Sequence, residues 1–249
     1  MEQKNNNITI PKKEYDNLLK LAEESKKQKT LIWESFDKGE NIPVIFSPKD
    51  LLKIEEGILK HKYQKNIYGV WMRQRNLTIF YTIYLLGLRP NEACDLRFDD
   101  FSLETGLVKI RKETNKQKRE RRIPIPRQLL KCLQDYLKFP RHLWKGSPYL
   151  FPSAESPYIS PGRWKHFFRD VLKSVGLWLP AEFGKTIPPY RSYTLRHTRA
   201  TELLNKSNMD IHAVANILGH CKLDSTKKYL HNNPRYQEYL KEILESDKY

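Results

Sequence analysis

The order of hydrophobic and polar residues predicts a mainly helical fold with a small antiparallel β-sheet, of the α+β class. Nearly every position from 77 to 86 is apolar, which predicts a buried central helix over residues 72–86 that ends at Gly87. At 107–111 and 122–126 hydrophobic residues alternate with polar ones or prolines, which predicts the two strands of a hairpin. Helical spacing returns in later segments, at residues 127–138, 163–175, 195–206 and 210–219, and again from residue 224.

Capping residues indicate where the main domain begins. Ser47 is suited to cap a helix N-terminus, Pro48 to occupy its first position, and Asp50 to favour the positive end of the helix dipole. We therefore expect three parts: a tail, helix (11–36) and linker at 1–46, a main domain at 47–235, and a C-terminal helix at 236–249.

Composition adds a strong positive charge. The 249 residues include 45 Lys and Arg against 29 Asp and Glu, a formal net charge of +16, which predicts a polyanionic partner, most simply nucleic acid. No run of eighteen apolar residues exists, so we expect no membrane span, and the polar start is unlike a signal peptide. Three widely spaced cysteines, an odd number, indicate a reducing compartment, so we expect a cytoplasmic protein.

Several kinds of catalytic site are disfavoured because their motifs are missing. His220, Cys221 and His231 do not have the spacing of a standard zinc site, and the chain has no C-x-x-C pair. The chain also lacks the G-x-S-x-G sequence of serine hydrolases and a glycine-rich loop for nucleotide phosphates. These absences disfavour a zinc site, a serine hydrolase and a glycine-rich nucleotide site.

Two arginines and a histidine lie where helices are predicted to begin or end. Arg89 follows Gly87 at a turn between helices, Arg196 lies at a helix start, and His220 follows the helix that ends at Gly219. Turns expose side chains and helix N-termini favour anions, so the two guanidinium groups are suited to bind one phosphate.

Together these segments resemble the catalytic domain of the tyrosine recombinase (phage integrase, Xer-like) family. The resemblance covers about residues 47–235 and rests on four motifs: G-L-R with Glu three residues later, at Gly87-Leu88-Arg89 and Glu92; H-x-L-R-H-T, at Tyr193-Thr194-Leu195-Arg196-His197-Thr198; L-G-H, at Leu218-Gly219-His220; and a tyrosine nine residues after that histidine, at Tyr229. Any one motif alone is weak, but the combined spacing is specific.

The resemblance implies a site-specific DNA recombinase or integrase that needs no metal or cofactor. Tyr229 would be the nucleophile and would join the DNA through a 3′-phosphotyrosyl bond, while Arg89 and Arg196 stabilise the transition state. His220 would hydrogen-bond the phosphate, and the family places proton-transfer help at the positions of His220 and Tyr193.

Two positions in the second motif carry separate expectations. Tyr193 stands where the family most often has histidine; tyrosine can donate a hydrogen bond to a phosphate but is a poor base near neutral pH. His197 lies one residue past Arg196 on the predicted helix, so we expect it to be structural and to point away from the site.

The basic hairpin tip implies one further catalytic residue, the lysine with which the family protonates the leaving 5′-oxygen. That lysine usually lies eight residues before the strand proline, Pro124, which indicates Lys116, with Lys118 as the alternative. Eight of residues 109–122 are Lys or Arg, and we expect most of them to contact DNA phosphates or solvent. The predicted DNA-binding residues are Lys112, Lys118, Arg119, Arg121 and Arg122.

The resemblance also implies an assembly. Most family members have an N-terminal helical domain that closes around DNA, and from the short segment at 1–46 we expect this domain to be absent, much reduced or supplied by another chain. We expect a homotetramer on double-stranded DNA and a monomer or weak dimer without it. The apolar stripe of the helix at 236–249 is predicted to dock on a neighbouring subunit, with docking on its own subunit as the alternative.

Two other functions remain open at this point. A DNA-binding regulator could keep the recombinase fold without strand exchange, although DNA binding alone does not need a tyrosine at position 229. A nicking enzyme resembling type IB topoisomerases would share the chemistry, and cleavage by a monomer without strand exchange would identify it.

Overall fold

The computed structural model describes residues 44–114, 118–153, 156–178, 190–206, 210–227 and 229. Within these residues the chain forms eight α-helices and one three-stranded antiparallel sheet. The helices are α1 (Pro48–Lys60), α2 (Ile67–Leu86), α3 (Pro90–Cys94), α4 (Arg127–Leu137), α5 (Pro161–Ser174), α6 (Ser192–Lys206), α7 (Ile211–Leu218) and α8 (Asp224–Lys227). The strands are β1 (Phe101–Ser102), β2 (Leu107–Ile110) and β3 (Arg121–Pro124). The expected fold class is confirmed.

Helices α1 and α2 begin at side chains that cap their first turns. The Ser47 hydroxyl accepts a hydrogen bond from the Asp50 backbone N–H and the Asp50 carboxylate accepts one from Ser47, a capping box. Helix α2 starts at Ile67, earlier than predicted, because the Asn66 side chain accepts a hydrogen bond of 2.9 Å from the first-turn backbone. It ends as predicted at Gly87, whose φ of 63° is left-handed.

Helix α2 is the centre of the core, as its apolar sequence predicts. Ile79, Ile83 and Leu86 are fully buried, and the helix packs against α1, α4 and α6. Near its start, Trp71 contacts the rings of Tyr136 and Trp144, with centroids 6.3 and 5.6 Å apart. The large apolar area that these rings bury stabilises the fold and makes α2 a rigid base for the turn at its C-terminus.

The sheet is an antiparallel meander in the order β1-β2-β3. Strand β1 is not predicted from the sequence, because two residues are too few to show an alternating pattern. In the pairing of β2 with β3, Ile110 lies opposite Arg121 and Lys109 opposite Arg122. Since side chains alternate between the two sides of a strand, Arg121 lies on the same side as the buried Ile123, and Arg122 on the exposed side.

Helices α6, α7 and α8 form a second cluster that contacts the turn after α2. Helix α7 begins after Asp210, whose carboxylate caps it, and ends at Gly219 with a φ of 66°, both as predicted. A β-carbon at Gly87 would lie 2.7 Å from Leu218 Cδ2, so the ends of α2 and α7 touch. The buried residues of this cluster are Ala200, Leu204, Val214, Leu218 and Tyr229.

The predicted division into three parts stays a prediction. The predicted helices at 11–36 and 236–249 lie outside the described residues, and of the first part only residues 44–46 are described. Among the described residues, no helix combines the length and the apolar character needed to cross a membrane.

Candidate active site

Arg196 connects the two glycine turns at the ends of α2 and α7. Its side chain is fully buried in α6, with Nη1 donating to the Gly87 carbonyl at 2.7 Å and Nη2 donating to the Leu218 carbonyl at 2.8 Å. The Nε atom is also buried and has no hydrogen-bond partner among the described residues. Burial lowers the pKa of Arg196, and the nearby positive charge of Arg89 lowers it further.

A single buried carboxylate, that of Glu92, is shared by three arginines. It accepts hydrogen bonds from the Arg89 backbone N–H at 2.9 Å and from Arg89 Nη1 at 3.0 Å. Arg121 donates to both of its oxygens, at 3.1 and 2.9 Å, and Arg196 Nη1 lies 3.9 Å away. Three cations around one anion leave a local excess of positive charge, which suits a site for a phosphate.

Opposing effects set the charge of Glu92. Burial raises its pKa, but the hydrogen bond and charge of Arg121, the Arg89 backbone N–H and the charge of Arg196 outweigh burial, so the pKa lies below its usual value. The Glu92 carboxylate is therefore ionised at neutral pH and forms ion pairs with Arg89 and Arg121.

The phenol of Tyr229 lies beside these arginines, inside the cluster of α6, α7 and α8. The residue is 1% exposed. Burial raises the pKa of its hydroxyl, the charges of Arg196 and Arg89 act in the opposite direction, and Tyr193 adds to the rise. Tyr229 is thus protonated at neutral pH, next to the cations that would favour its ionised form.

His197 contacts Tyr229, and the expectation that it points away from the site is wrong. His197 Nδ1 and the Tyr229 hydroxyl form a hydrogen bond of 2.7 Å, and the two ring centroids lie 5.6 Å apart. The expectation fails because Tyr229 packs against the side of α6 that carries His197, although it also lies near the charge of Arg196. The sequence gives no signal for this contact.

The other two predicted phosphate contacts flank Tyr229. His220, half-buried after Gly219, forms a hydrogen bond of 2.7 Å through Nδ1 with the Thr226 hydroxyl of α8. Tyr193, 36% exposed, places its ring edge-on to His197 with centroids 4.8 Å apart. Arg89, Arg196, His220, Tyr193 and Tyr229 thus lie in one region, built from the ends of α2, α6 and α7.

The basic hairpin is described only in part. Lys116 lies outside the described residues, so its role stays a prediction. Lys112, Lys118 and Arg119 are exposed, and the side chain of Arg122 is 68% exposed. Arg121 differs from them, because its side chain is only 11% exposed and is bonded to Glu92.

Glu92 and His197 are the two residues of this region to which the sequence assigns no catalytic or binding role. Glu92 is part of the G-L-R motif, and an acidic residue in the first turn of a short helix is a visible capping signal. Its bonds to β3 depend on tertiary packing, which spacing does not reveal. Within the described residues, no three His, Cys, Asp or Glu side chains come together as metal ligands would.

Comparison with known proteins identifies relatives of this chain. A sequence model of the phage integrase family matches residues 60–235. A tyrosine recombinase of Pseudothermotoga lettingae is 33% identical over 199 residues, which are 78% of this chain and 63% of that protein. The tyrosine recombinase XerA of Pyrococcus furiosus is 32% identical over 174 residues, 69% of this chain and 54% of that protein. The chain therefore spans less than two thirds of either relative's length.

Solved structures share the fold. The XerH site-specific recombinase bound to difH substrate, in a pre-cleavage complex, superposes with a TM-score of 0.61 at 24% identity, covering 79% of this chain and 52% of that one. The catalytic domain of bacteriophage HP1 integrase gives a TM-score of 0.52 at 19% identity, covering 79% of this chain and 92% of that one. At these identities the likeness extends to the fold alone.

Proposed function

Since the chain belongs to the phage integrase family, we propose that it is a site-specific DNA recombinase that cleaves and rejoins double-stranded DNA through a 3′-phosphotyrosyl intermediate. The observation that carries the proposal is the position of Tyr229: burial raises the pKa of its hydroxyl, and the nearby charges of Arg196 and Arg89 act to lower it. A regulator that only binds DNA would not need a buried phenol beside two phosphate-binding groups.

The proposed reaction exchanges one phosphodiester for another. The Tyr229 oxygen forms a bond to phosphorus, and the bond from phosphorus to the 5′-oxygen breaks. The phenol proton is lost on the attacking side, and the 5′-oxygen gains a proton as it leaves. A 5′-hydroxyl on the partner strand reverses both steps, so the energy of the broken bond is conserved.

Each proposed role matches a property of the residue. Arg196 and Arg89 neutralise the charge that develops on the non-bridging oxygens, an effect that is strongest in a buried site. The Arg196 Nε donor is buried and has no partner among the described residues, and we propose that it donates to a phosphate oxygen when DNA is bound. His220 and Tyr193 would hydrogen-bond the phosphate and help in proton transfer. Lys116, or Lys118 in its place, would protonate the 5′-oxygen.

The nucleophile must be uncovered before it can react. Tyr229 is 1% exposed and its hydroxyl is bonded to His197, so a phosphate reaches it only after the phenol leaves this pocket. The hydrogen bond with His197 therefore keeps the phenol in this buried position, and DNA binding must supply the free energy that releases it.

The proposed partners follow from charge and from the relatives. The net charge of +16 and the exposed Lys112, Lys118, Arg119 and Arg122 favour a DNA backbone. XerH was solved bound to difH substrate, and Tn1549 integrase was solved in complex with a circular intermediate DNA. We propose a homotetramer on DNA, a monomer or weak dimer without it, and a cytoplasmic location.

Trapping of a covalent complex tests the proposal. The full chain is incubated with nicked suicide duplexes that tile the DNA flanking its coding sequence, and adducts are separated under denaturing conditions. We expect an adduct with the wild-type protein and with the control Tyr158→Phe, whose ring packs on Tyr149, and none with Tyr229→Phe.

The same assay separates the alternatives. A DNA-binding regulator would bind a duplex without forming an adduct on any of them. A nicking enzyme related to type IB topoisomerases would form the adduct as a monomer and never join two duplexes. Adduct formation followed by exchange between two labelled duplexes supports the recombinase.

A further inference from the structure

Arg121 differs from the exposed residues predicted to bind DNA, because its side chain is largely buried and is bonded to Glu92. It lies opposite Ile110 in the sheet and on the same side as Ile123, facing the core. Its neighbour Arg122 is on the opposite side, with 68% of its side chain exposed against 11% for Arg121. The alternation of side chains along β3 therefore places Arg121 towards the core and Arg122 towards solvent.

All three guanidinium nitrogens of Arg121 are engaged. Nη1 and Nη2 donate to the two oxygens of Glu92 at 3.1 and 2.9 Å, a bidentate pair. Nε donates to the Ile217 carbonyl at 3.1 Å, in the last turn of α7. Planar, fixed geometry of this kind belongs to arginine, because the lysine ammonium is a single point charge.

The Arg121 guanidinium is also tightly packed. A β-carbon at Gly219 would lie 2.8 Å from Nη1 and 2.9 Å from Cζ, so the guanidinium lies directly against the Gly219 backbone. The turn at Gly219 leads into His220, and the Leu218 carbonyl beside it accepts a hydrogen bond from Arg196. A shift of Arg121 would thus be transmitted to this turn.

On its other side Arg121 acts through Glu92. The same carboxylate that Arg121 binds also accepts hydrogen bonds from Arg89, through its backbone N–H and its Nη1. Without Arg121, Glu92 would be buried with one cationic hydrogen-bond partner instead of two, and Arg89 would lose its fixed acceptor.

We propose that Arg121 is a positioning residue for cleavage, which aligns Arg89 and the His220 turn with strand β3. This inference rests on the proposed recombinase function and assigns Arg121 no contact with DNA. It replaces the expectation that Arg121 binds the DNA backbone.

The test compares binding and cleavage in R121Q and R121K. Because neither variant can make the bidentate pair and the Ile217 bond together, both should lower the single-turnover rate of adduct formation at saturating DNA by about 10²-fold, the cost of misplacing catalytic groups by about 1 Å. DNA affinity should change by less than about 3-fold, and the slope of log K against log salt should not change, because no phosphate contact is lost.

Two control variants show the effect of losing a phosphate contact and the effect of losing an arginine outside the site. R122Q, in the exposed neighbour, should weaken binding and reduce the salt slope by about 1, as loss of one phosphate contact does. R141Q removes an arginine that packs on Phe98, and it should leave both affinity and cleavage unchanged. If R121Q behaves like R122Q, with weaker binding, a smaller slope and normal cleavage at saturation, the positioning role is refuted.

A double variant keeps the test decisive if R121Q is unstable. E92Q with R121Q replaces the ion pair by two neutral groups that can still bond, and its cleavage should be no slower than that of the worse single variant, since both act through one unit. Losses of cleavage that multiply in the double variant would contradict the coupling of Glu92 and Arg121.

If R121K cleaves at the wild-type rate and loses only thermal stability, Arg121 is merely structural. If the wild type forms no adduct, the proposed function fails, whereas an adduct that R121Q and R121K leave unaffected overturns this inference alone.

Discussion

At the scale of single residues, the site depends on two arginines whose surroundings differ. Arg196 is fully buried and donates to the carbonyls of two turns, whereas Arg89 keeps 17% of its side chain exposed and is bonded to Glu92. Arg196 therefore contributes to the architecture as well as to the charge of the site, and Arg89 contributes mainly charge.

Removal of either arginine should affect cleavage far more than DNA binding. Arg196→Ala and Arg89→Ala each remove charge stabilisation that is largest in the transition state, on the order of 3 kcal/mol. Rates of adduct formation at saturating DNA, set beside affinities from titration, measure the two effects, with Arg141→Ala as the control. Equal losses of binding and cleavage would mean that the two arginines are ordinary phosphate contacts.

The buried phenol of Tyr229 predicts a pH dependence of stability. Burial raises its pKa in the folded state, so above pH of about 10 the unfolded chain loses a proton that the folded chain retains, and folding becomes less favourable as pH rises. The free energy of unfolding of the wild type should then fall faster than that of Tyr229→Phe, by up to about 1.4 kcal/mol per pH unit. Urea unfolding between pH 9 and 11 measures the difference, and parallel curves would contradict the burial of this phenol.

At the scale of elements, capping and apolar runs are predictable because they are local. Ser47, Asp210, Gly87 and Gly219 are recognised from sequence, since each satisfies backbone groups within its own helix end. The start of α2 is missed because Asn66 resembles any other polar loop residue. The inward side of Arg121 could have been read from strand alternation with Ile123, but its charge favours the interpretation as a DNA contact.

The turn at Gly219 gives a prediction at this scale. Gly219→Ala and Gly106→Ala both place a side chain at a positive φ, 66° and 65°, and each should cost about 1 kcal/mol of stability. At Gly219 the new methyl group would clash with the Arg121 guanidinium. At Gly106 no atom lies within 4 Å of the position that the methyl group would occupy. Cleavage should therefore fall in Gly219→Ala and remain normal in Gly106→Ala, as measured by adduct formation. Equal cleavage in both variants would contradict the role of the Arg121–Gly219 contact.

At the scale of the whole molecule, the motifs predict which residues lie close together, but they do not predict that the Tyr229 side chain is buried. The resemblance carried by the motifs of Arg89, Arg196, His220 and Tyr229 implies a common site, and the structure brings these four residues into one region. The resemblance does not predict that Tyr229 is buried against His197, because that contact depends on the tertiary packing of Tyr229 against α6. Such tertiary contacts have no periodic signal in the sequence.

The assembly predicted from the C-terminal sequence can be tested by truncation. Removal of the chain after Asn233 deletes an apolar stripe at residues 236–244 that must be covered by its own or a neighbouring subunit. If it docks on a neighbour, binding to a single half-site should persist, while cooperative assembly on full sites and recombination should be lost. Native gel shifts on half-sites and full sites measure this. A truncated protein that unfolds, or that recombines at the full rate, would contradict docking between subunits.

The central claim is that Tyr229 forms the covalent bond to DNA, and peptide mapping of the trapped adduct tests it most directly. After digestion with nuclease and protease, mass spectrometry locates the phosphotyrosyl nucleotide along the chain. The proposed mechanism predicts that it lies on Tyr229, beside the charges of Arg196 and Arg89. A nucleotide on another tyrosine, such as Tyr236 or Tyr239, would contradict the assignment of the nucleophile.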